Sequence, residues 1–160
     1  MPNAEPLEAY LHEHIPISRH LGARVLAASF NQVRVAAPLA PNLNHRQTAF
    51  GGSISALAIL AGWSLLWVRL REYPPEHQIV IQSNSVRYIA PVLADFTATC
   101  IAPAPERWEQ FTRTLAVRHR ARIELHAEVS LEEQLVATFE GSYVVLTPGT
   151  RGGSSGSENL

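Results

Sequence analysis

Cysteine is almost absent from this chain, neither sign of charge prevails, and no apolar leader opens it; each shortage excludes a class of protein. The lone Cys100 has no second thiol to pair with, so no internal disulfide staples the fold. No spacing of cysteine and histidine resembles a zinc site, so no metal is expected, and in its apolar setting Cys100 reads as a small core residue. Thirteen basic residues against fourteen acidic ones leave a formal charge of -1. Such a balance creates no long-range field to gather a nucleic-acid backbone or an anionic bilayer, so neither nucleic acid nor membrane is an expected partner. The one basic cluster, Arg113, Arg118, Arg120 and Arg122, is offset by Glu124 and Glu128 and reads as a solvated face. The opening residues MPNAEPLEAYLHEH lack the basic start and apolar stretch of a secretory signal, and a cytoplasmic location is expected.

What is present suits an ordered globular protein. A hydrophobic content of 46% and a charged content of 17% over 160 residues provide a real core and fit one domain rather than two. That domain is expected to span residues 1–148. The remaining stretch, 149–160, is rich in glycine and serine with little to bury, and reads as a flexible tail.

Along the chain, Leu7, Tyr10, Leu11 and Ile15 fall at helical spacing, predicting a short amphipathic helix over 5–14 that stops before Pro16. Residues 22–30 and 32–39 read as two strands with a turn at Ser29–Gln32. Residues 38–50 carry prolines and amides without periodicity and form a loop ending at a glycine pair. From Ser53 to Val68 the chain is nearly all apolar, which predicts a helix hydrophobic on every side. This run is shorter than the ~18 uninterrupted apolar residues a bilayer span needs, so burial in a protein core is the better reading. Strands follow over 78–90 and 94–102. Trp108, Phe111 and Leu115 then share one face of a short helix over 105–116, with a boundary near His119. The alternation of the next strand, 120–129, also extends back to Leu115, so one long bent strand from 114 to 129 is the other reading. A tight turn at Leu131–Gln134 leads into a last strand, 136–146. Two strands, a buried helix and four more strands joined mostly by hairpins describe an α+β protein, one antiparallel sheet curled around a long central helix.

The stretch Asn42-Leu43-Asn44-His45-Arg46-Gln47-Thr48-Ala49-Phe50-Gly51-Gly52-Ser53, opening an alanine-rich helix that carries Ala61-Gly62-Trp63, resembles the hotdog thioesterase superfamily. Its nearest likeness is to the YiiD C-terminal domain branch, where NH, three residues and AFGGS lead into a helix ending in AGW. The likeness runs over roughly residues 5–147 and includes Ser85, Tyr88 and Pro91 in a strand. It implies a hotdog fold, hydrolysis of an acyl thioester, no cofactor, and a homodimer or dimer of dimers with the acyl and pantetheine tunnel at the seam. The substrate it implies is an acyl-CoA or an acyl-carrier protein, and the arginine cluster would then have coenzyme A phosphates to meet.

The chemistry of this junction can be argued without the family. The first amides of a helix have no intrahelical partner and carry the positive end of its dipole. Gly51, Gly52 and Ser53 can therefore present N–H groups to a thioester carbonyl as it gains negative charge, and one such donor contributes on the order of 3 kcal/mol in the transition state. The plainer reading is that the glycines permit a tight loop-to-helix turn. Related phenylacetate-pathway thioesterases carry Asn, two residues, Gly, two residues, His-Gly-Gly, with a helix carboxylate. Aligned on the glycines, Asn44 matches that asparagine, but Phe50 replaces the histidine and Ile59 stands where the carboxylate would be. The carboxylate mechanism does not transfer, unless a second chain supplies the group. His45 becomes the candidate base because imidazole titrates near neutrality. Asn44 is a candidate to hold water or the carbonyl, or else caps the loop backbone, and Thr48 is a further site candidate or a helix cap. Phe50, Ser85 and Tyr88 are candidate substrate contacts, and Asp95 reads as a turn residue. Trp63 and Trp67 suggest a roomy apolar pocket or ordinary core. The competing function is an acyl-CoA-binding module without turnover.

Overall fold

The computed structural model describes residues 4–71, 73 and 76–148; the expected tail at 149–160 and two residues of the Tyr73-Pro74-Pro75 turn lie outside them. Leu7 and Leu11, one turn apart, bury one face of helix α1 (Ala4–His14), which ends ahead of Pro16 as proline requires. A single turn, α2 (Ile17–His20), follows. Strands β1 (Arg24–Ala28) and β2 (Gln32–Ala37) pair as a hairpin whose turn is closed by the Ser29 N–H on the Gln32 carbonyl, 2.9 Å. After the loop come helix α3 (Gly51–Leu70), strands β3 (Gln78–Tyr88) and β4 (Phe96–Ile101), helix α4 (Pro105–Arg118), and strands β5 (Arg120–Leu131) and β6 (Gln134–Leu146). The six strands form one antiparallel sheet in the order β1-β2-β4-β5-β6-β3.

α3 is the element the sheet wraps. It starts two residues before Ser53 and ends two beyond Val68, because Phe50 is extended at the N-cap and its carbonyl receives the N–H groups of Ser53 and Ile54, enclosing both glycines in the first turn. At 20 residues it is long and apolar enough to cross a membrane, so length does not separate the two readings, and burial does. Leu57, Ala58, Ala61, Leu65 and Leu66 are wholly covered by the rest of the protein, leaving this the central helix of a folded core. One stripe departs from the all-round expectation. Gly52 is exposed and Ala56, Ile59, Trp63 and Trp67 are half-buried, and their spacing places them along a single face.

Two residues explain how closely the sheet approaches α3. The Tyr143 hydroxyl of β6 donates to the Ile59 carbonyl at 2.8 Å. Its ring lies over Gly62, where an added Cβ would collide with the Tyr143 hydroxyl oxygen. The Ala61-Gly62-Trp63 triplet is therefore a docking point: Gly62 admits the tyrosine, and the Trp63 indole N–H donates to the Ile79 carbonyl of β3 at 3.0 Å.

The choice between helix and bent strand after residue 104 is settled for the helix. Pro105 opens α4 at a position where its missing N–H costs nothing, and His119 closes it with φ 55° and its N–H on the Leu115 carbonyl. Leu115 is buried while Val117 is 75% exposed, a split that a continued strand alternation would not produce.

The two edges of the sheet are treated differently. At β1 the Glu8 carboxylate of α1 accepts the Val25 N–H at 2.7 Å and the His12 ring meets the Ala23 carbonyl at 2.9 Å, so α1 plugs that edge. Beyond β3 no strand is paired among the described residues, and Val80 is 49% exposed.

Gly62→Ala should lower stability by about 1–3 kcal/mol despite alanine's better helix propensity, because a rigid, fully buried ring is in the way; urea unfolding measures this. Burial pushes the Cys100 thiol up to about 12 from its ordinary 9.0 and raises the Tyr143 phenol as well. Both groups ionise more readily unfolded, so stability should hold below pH 9 and fall from there toward pH 12. Cys100→Ala should flatten part of that fall in alkaline unfolding curves, and the native thiol should resist a disulfide reagent until the protein unfolds.

Candidate active site

Asn42, predicted only as part of the loop, is its buried anchor. Its side-chain amide donates to the carbonyls of Leu21 and Pro38 at 2.9 and 2.7 Å, and its main-chain carbonyl accepts the Phe50 N–H at 2.7 Å, fixing where the loop hands over to α3. The loop is also tied to the segment after β3 by the Ala49 N–H on the Val92 carbonyl, 2.8 Å, and by the Leu39 N–H on the Asp95 carboxylate, 2.8 Å. Asp95 is thus a turn-holding residue, as its place in the sequence suggests.

Within this frame Asn44 spends both ends of its side chain on the loop. The oxygen accepts the N–H groups of Arg46 and Thr48, and the amide nitrogen donates to the Thr48 hydroxyl at 2.8 Å and toward the Ala49 carbonyl at 3.4 Å. Of the two readings of Asn44, the structure displays the capping one. Because the Thr48 oxygen accepts from Asn44, the hydroxyl hydrogen is left to point elsewhere. Gln47, at the position where the related motif has glycine, is held at φ 62°, a left-handed backbone that costs a side-chain-bearing residue about 1–2 kcal/mol.

An open cleft of about 680 Å³ lies beside the start of α3, walled by Arg46, Thr48, Gly51, Ile54, Tyr88 and the Ile89–Leu93 segment. The amides of Gly51 and Gly52 have no hydrogen-bond partner among the described residues, whereas that of Ser53 is already bonded to the Phe50 carbonyl at 2.9 Å. The free donors at this helix end are therefore two, not three. Tyr88 donates its hydroxyl to the Gly51 carbonyl at 2.8 Å and so pins the first turn to β3. Phe50 is 58% exposed, with its ring against Gly52.

The remaining candidates part company. His45 is exposed on the outer turn, is no wall of the cleft, and makes no hydrogen bond among the described residues. Ser85 pairs with Glu140 and faces outward, opposite in parity to Tyr88, because no irregularity in the register falls between them. The arginines Arg118, Arg120 and Arg122 sit at the other end of the sheet: Arg120 is level with Leu146 and Gln78, ten residues along β3 from Tyr88. The cation beside the cleft is instead Arg46, unremarked in the sequence although it directly follows His45 in the polar loop. Among its described walls the cleft has no carboxylate and no imidazole.

An antiparallel sheet curled around one buried helix, with that helix's free first-turn amides beside a cleft, defines a hotdog-fold protein of the thioesterase type. The chain belongs to the family described as "Putative thioesterase (yiiD_Cterm)", whose model matches residues 4–147. Similar solved structures include a protein of unknown function from Chlorobaculum tepidum, 30% identical with a TM-score of 0.83 over 89% of this chain and 93% of that one. Another is a "putative thioesterase" from Shewanella oneidensis, 28% identical with a TM-score of 0.80 over 92% and 100% of the two chains. A phenylacetic acid degradation protein from Thermus thermophilus is 26% identical, with a TM-score of 0.59 over 82% and 98%.

Relieving the left-handed strain should be measurable: Gln47→Gly is expected to raise stability by about 0.5–1 kcal/mol in thermal or urea unfolding, after the larger entropy of an unfolded glycine is deducted.

Proposed function

We propose that this chain hydrolyses an acyl thioester of coenzyme A or of an acyl-carrier protein, with the thioester carbonyl held by the Gly51 and Gly52 amides. The observation that carries this reading is the pair of unpartnered N–H groups at the start of a 20-residue helix, with Gly51 on the wall of an open cleft and Gly52, exposed, next along the chain. Membership of a thioesterase family supports it. Water adds to the carbonyl carbon, the oxygen takes negative charge against those amides and the helix dipole, and collapse expels the thiolate, which leaves as thiol with the proton the water gives up. Thr48 orients the water, and Asn44 is a positioning residue that acts through it. Arg46, on the wall of the cleft, is the residue this reading assigns to the diphosphate of coenzyme A or the phosphate of a carrier arm.

One chain brings neither carboxylate nor imidazole to the described walls, so the reading assigns the base to a second copy. A homodimer joined along the open β3 edge would carry the second chain to the Tyr88 side of the cleft, and it would remove an edge that is otherwise a liability. The same shortage of a base, with Ile59 at the usual carboxylate position, favours the second reading, a module that binds acyl-CoA without turnover.

Release of free thiol from a panel of acyl-CoA substrates tests this directly. Gly51→Pro removes one amide donor at a helix position that tolerates proline, and Phe50 already has the extended backbone a following proline requires, φ -65° and ψ 132°. Its kcat should fall by about 10²- to 10³-fold with the helical circular dichroism retained. Thr48→Val should cost roughly 10- to 100-fold, and His45→Ala no more than about threefold. Tight acyl-CoA binding without turnover would select the binding module. Sedimentation of a fully active monomer would remove the second copy from the mechanism.

A further inference from the structure

Two side-chain hydrogen bonds bolt the open edge strand to the central helix, one at each end of their shared length. Tyr88 holds the Gly51 carbonyl, and Trp63 holds the Ile79 carbonyl. Between the bolts the facing side chains are apolar and only half covered: Ala56 and Ile59 on α3, Ile81 and Val86 on the inner face of β3. The seam begins at the exposed Gly52, next to the free amides. It ends in a hollow of about 420 Å³ where Tyr10, Trp63, Trp67 and Ile79 make an apolar wall and Arg71, Glu76 and His77 are also part of the lining. There the Tyr10 ring stacks on Trp63 with centroids 5.8 Å apart and meets Trp67 at 5.3 Å, so one wall of the hollow is aromatic.

Given the thioester reading of the Gly51–Gly52 site, we propose that this seam houses the acyl chain and that the hollow at Trp63 receives its end, making the substrate a long-chain acyl thioester of about a dozen carbons. The length follows from the helix. Eleven residues separate Gly52 from Trp63, a rise of about 16 Å, and tetrahedral carbon–carbon bonds of about 1.5 Å advance an extended chain by about 1.25 Å per carbon. A short acyl group anchored at the amides would leave the seam and the hollow empty. A long one covers apolar side chains along its whole path, and each methylene so buried adds to its binding.

The chain-length profile decides the matter. For the full chain, kcat/KM should rise at least tenfold from butanoyl-CoA to dodecanoyl-CoA, measured below the micellar concentration. Ile59→Trp, which fills the middle of the seam, should lower the dodecanoyl-to-butanoyl ratio at least fivefold, and Ala56→Phe, checked by the same ratio, serves if the first variant does not fold. A wild-type ratio near one overturns the proposal even if both variants misfold, as does a ratio that neither folded variant moves; that is also the result expected if a second copy of the chain fills the seam. The two readings fail separately. If no thioester of any length is cleaved, the S-dodecyl and S-butyl thioethers of coenzyme A still report on the seam: at least tenfold tighter binding of the dodecyl compound upholds it, and equal binding sinks it.

Discussion

Twenty residues with almost no polar face cannot stay in water as a helix, and the rest of this protein is arranged to cover them. Burying a leucine or isoleucine side chain is worth about 1.5–3 kcal/mol, and α3 has Ile54, Leu57, Leu60, Leu65, Leu66 and Leu70 inside the core. Only a strongly curved sheet can reach most of such a circumference. The six antiparallel strands supply it, with inner faces such as Ala121, Ile123, Leu125, Ala127 and Val129 of β5 alternating against a charged outer face. Tyr143 over Gly62 sets how near that sheet can come.

The same constraint prepares the site. α3 is covered on all but one stripe, and at its N-terminal end the backbone carries donors that no residue of the helix can satisfy. Asn42 and Asn44 hold the loop so that Phe50 enters extended, and Tyr88 ties the first turn to the edge strand. Two amides beside a cleft are then a product of how the core is covered, with little further specification needed from side chains. That economy suits a chemistry in which charge develops on one oxygen and placed dipoles can do most of the stabilising. Among its described walls the cleft has no carboxylate and no imidazole, and among the described residues no strand pairs with β3 on its outer side.

Much of this architecture was legible because local patterns and global burial agree. β5 alternates from Arg120 to Val129, and the turn at Ser29 and the stop at Pro16 follow from side-chain and backbone chemistry alone. The limits of α3 were less visible: glycine at two positions looks like loop, and only the hydrogen bonds to the Phe50 carbonyl bring Gly51 and Gly52 into the helix. In the site, residue type suggested the loop but not what each member does. Asn44 as easily faces a substrate as its own backbone, and the choice depends on Thr48 and Arg46 folding round it. His45 drew notice for its chemistry, yet the turn carries it outward. Ser85 and Tyr88 look like partners in sequence, but three positions of strand put them on opposite faces. Arg46 was hidden by the more conspicuous cluster at 113–122, and the seam at α3 is bounded by the Tyr88 and Trp63 hydrogen bonds, which no pattern in the sequence announces.

The central claim is that the first amides of α3 grip a carbonyl oxygen, and amide proton shifts report on it directly. A ketone analogue of an acyl-CoA, with methylene in place of the sulfur, keeps the oxygen and cannot be cleaved. Titrated into nitrogen-15-labelled protein, it should move the Gly51 and Gly52 amide protons downfield while that of Ser53, already bonded to Phe50, stays nearly still. Saturable binding that leaves both glycine signals in place would contradict the account.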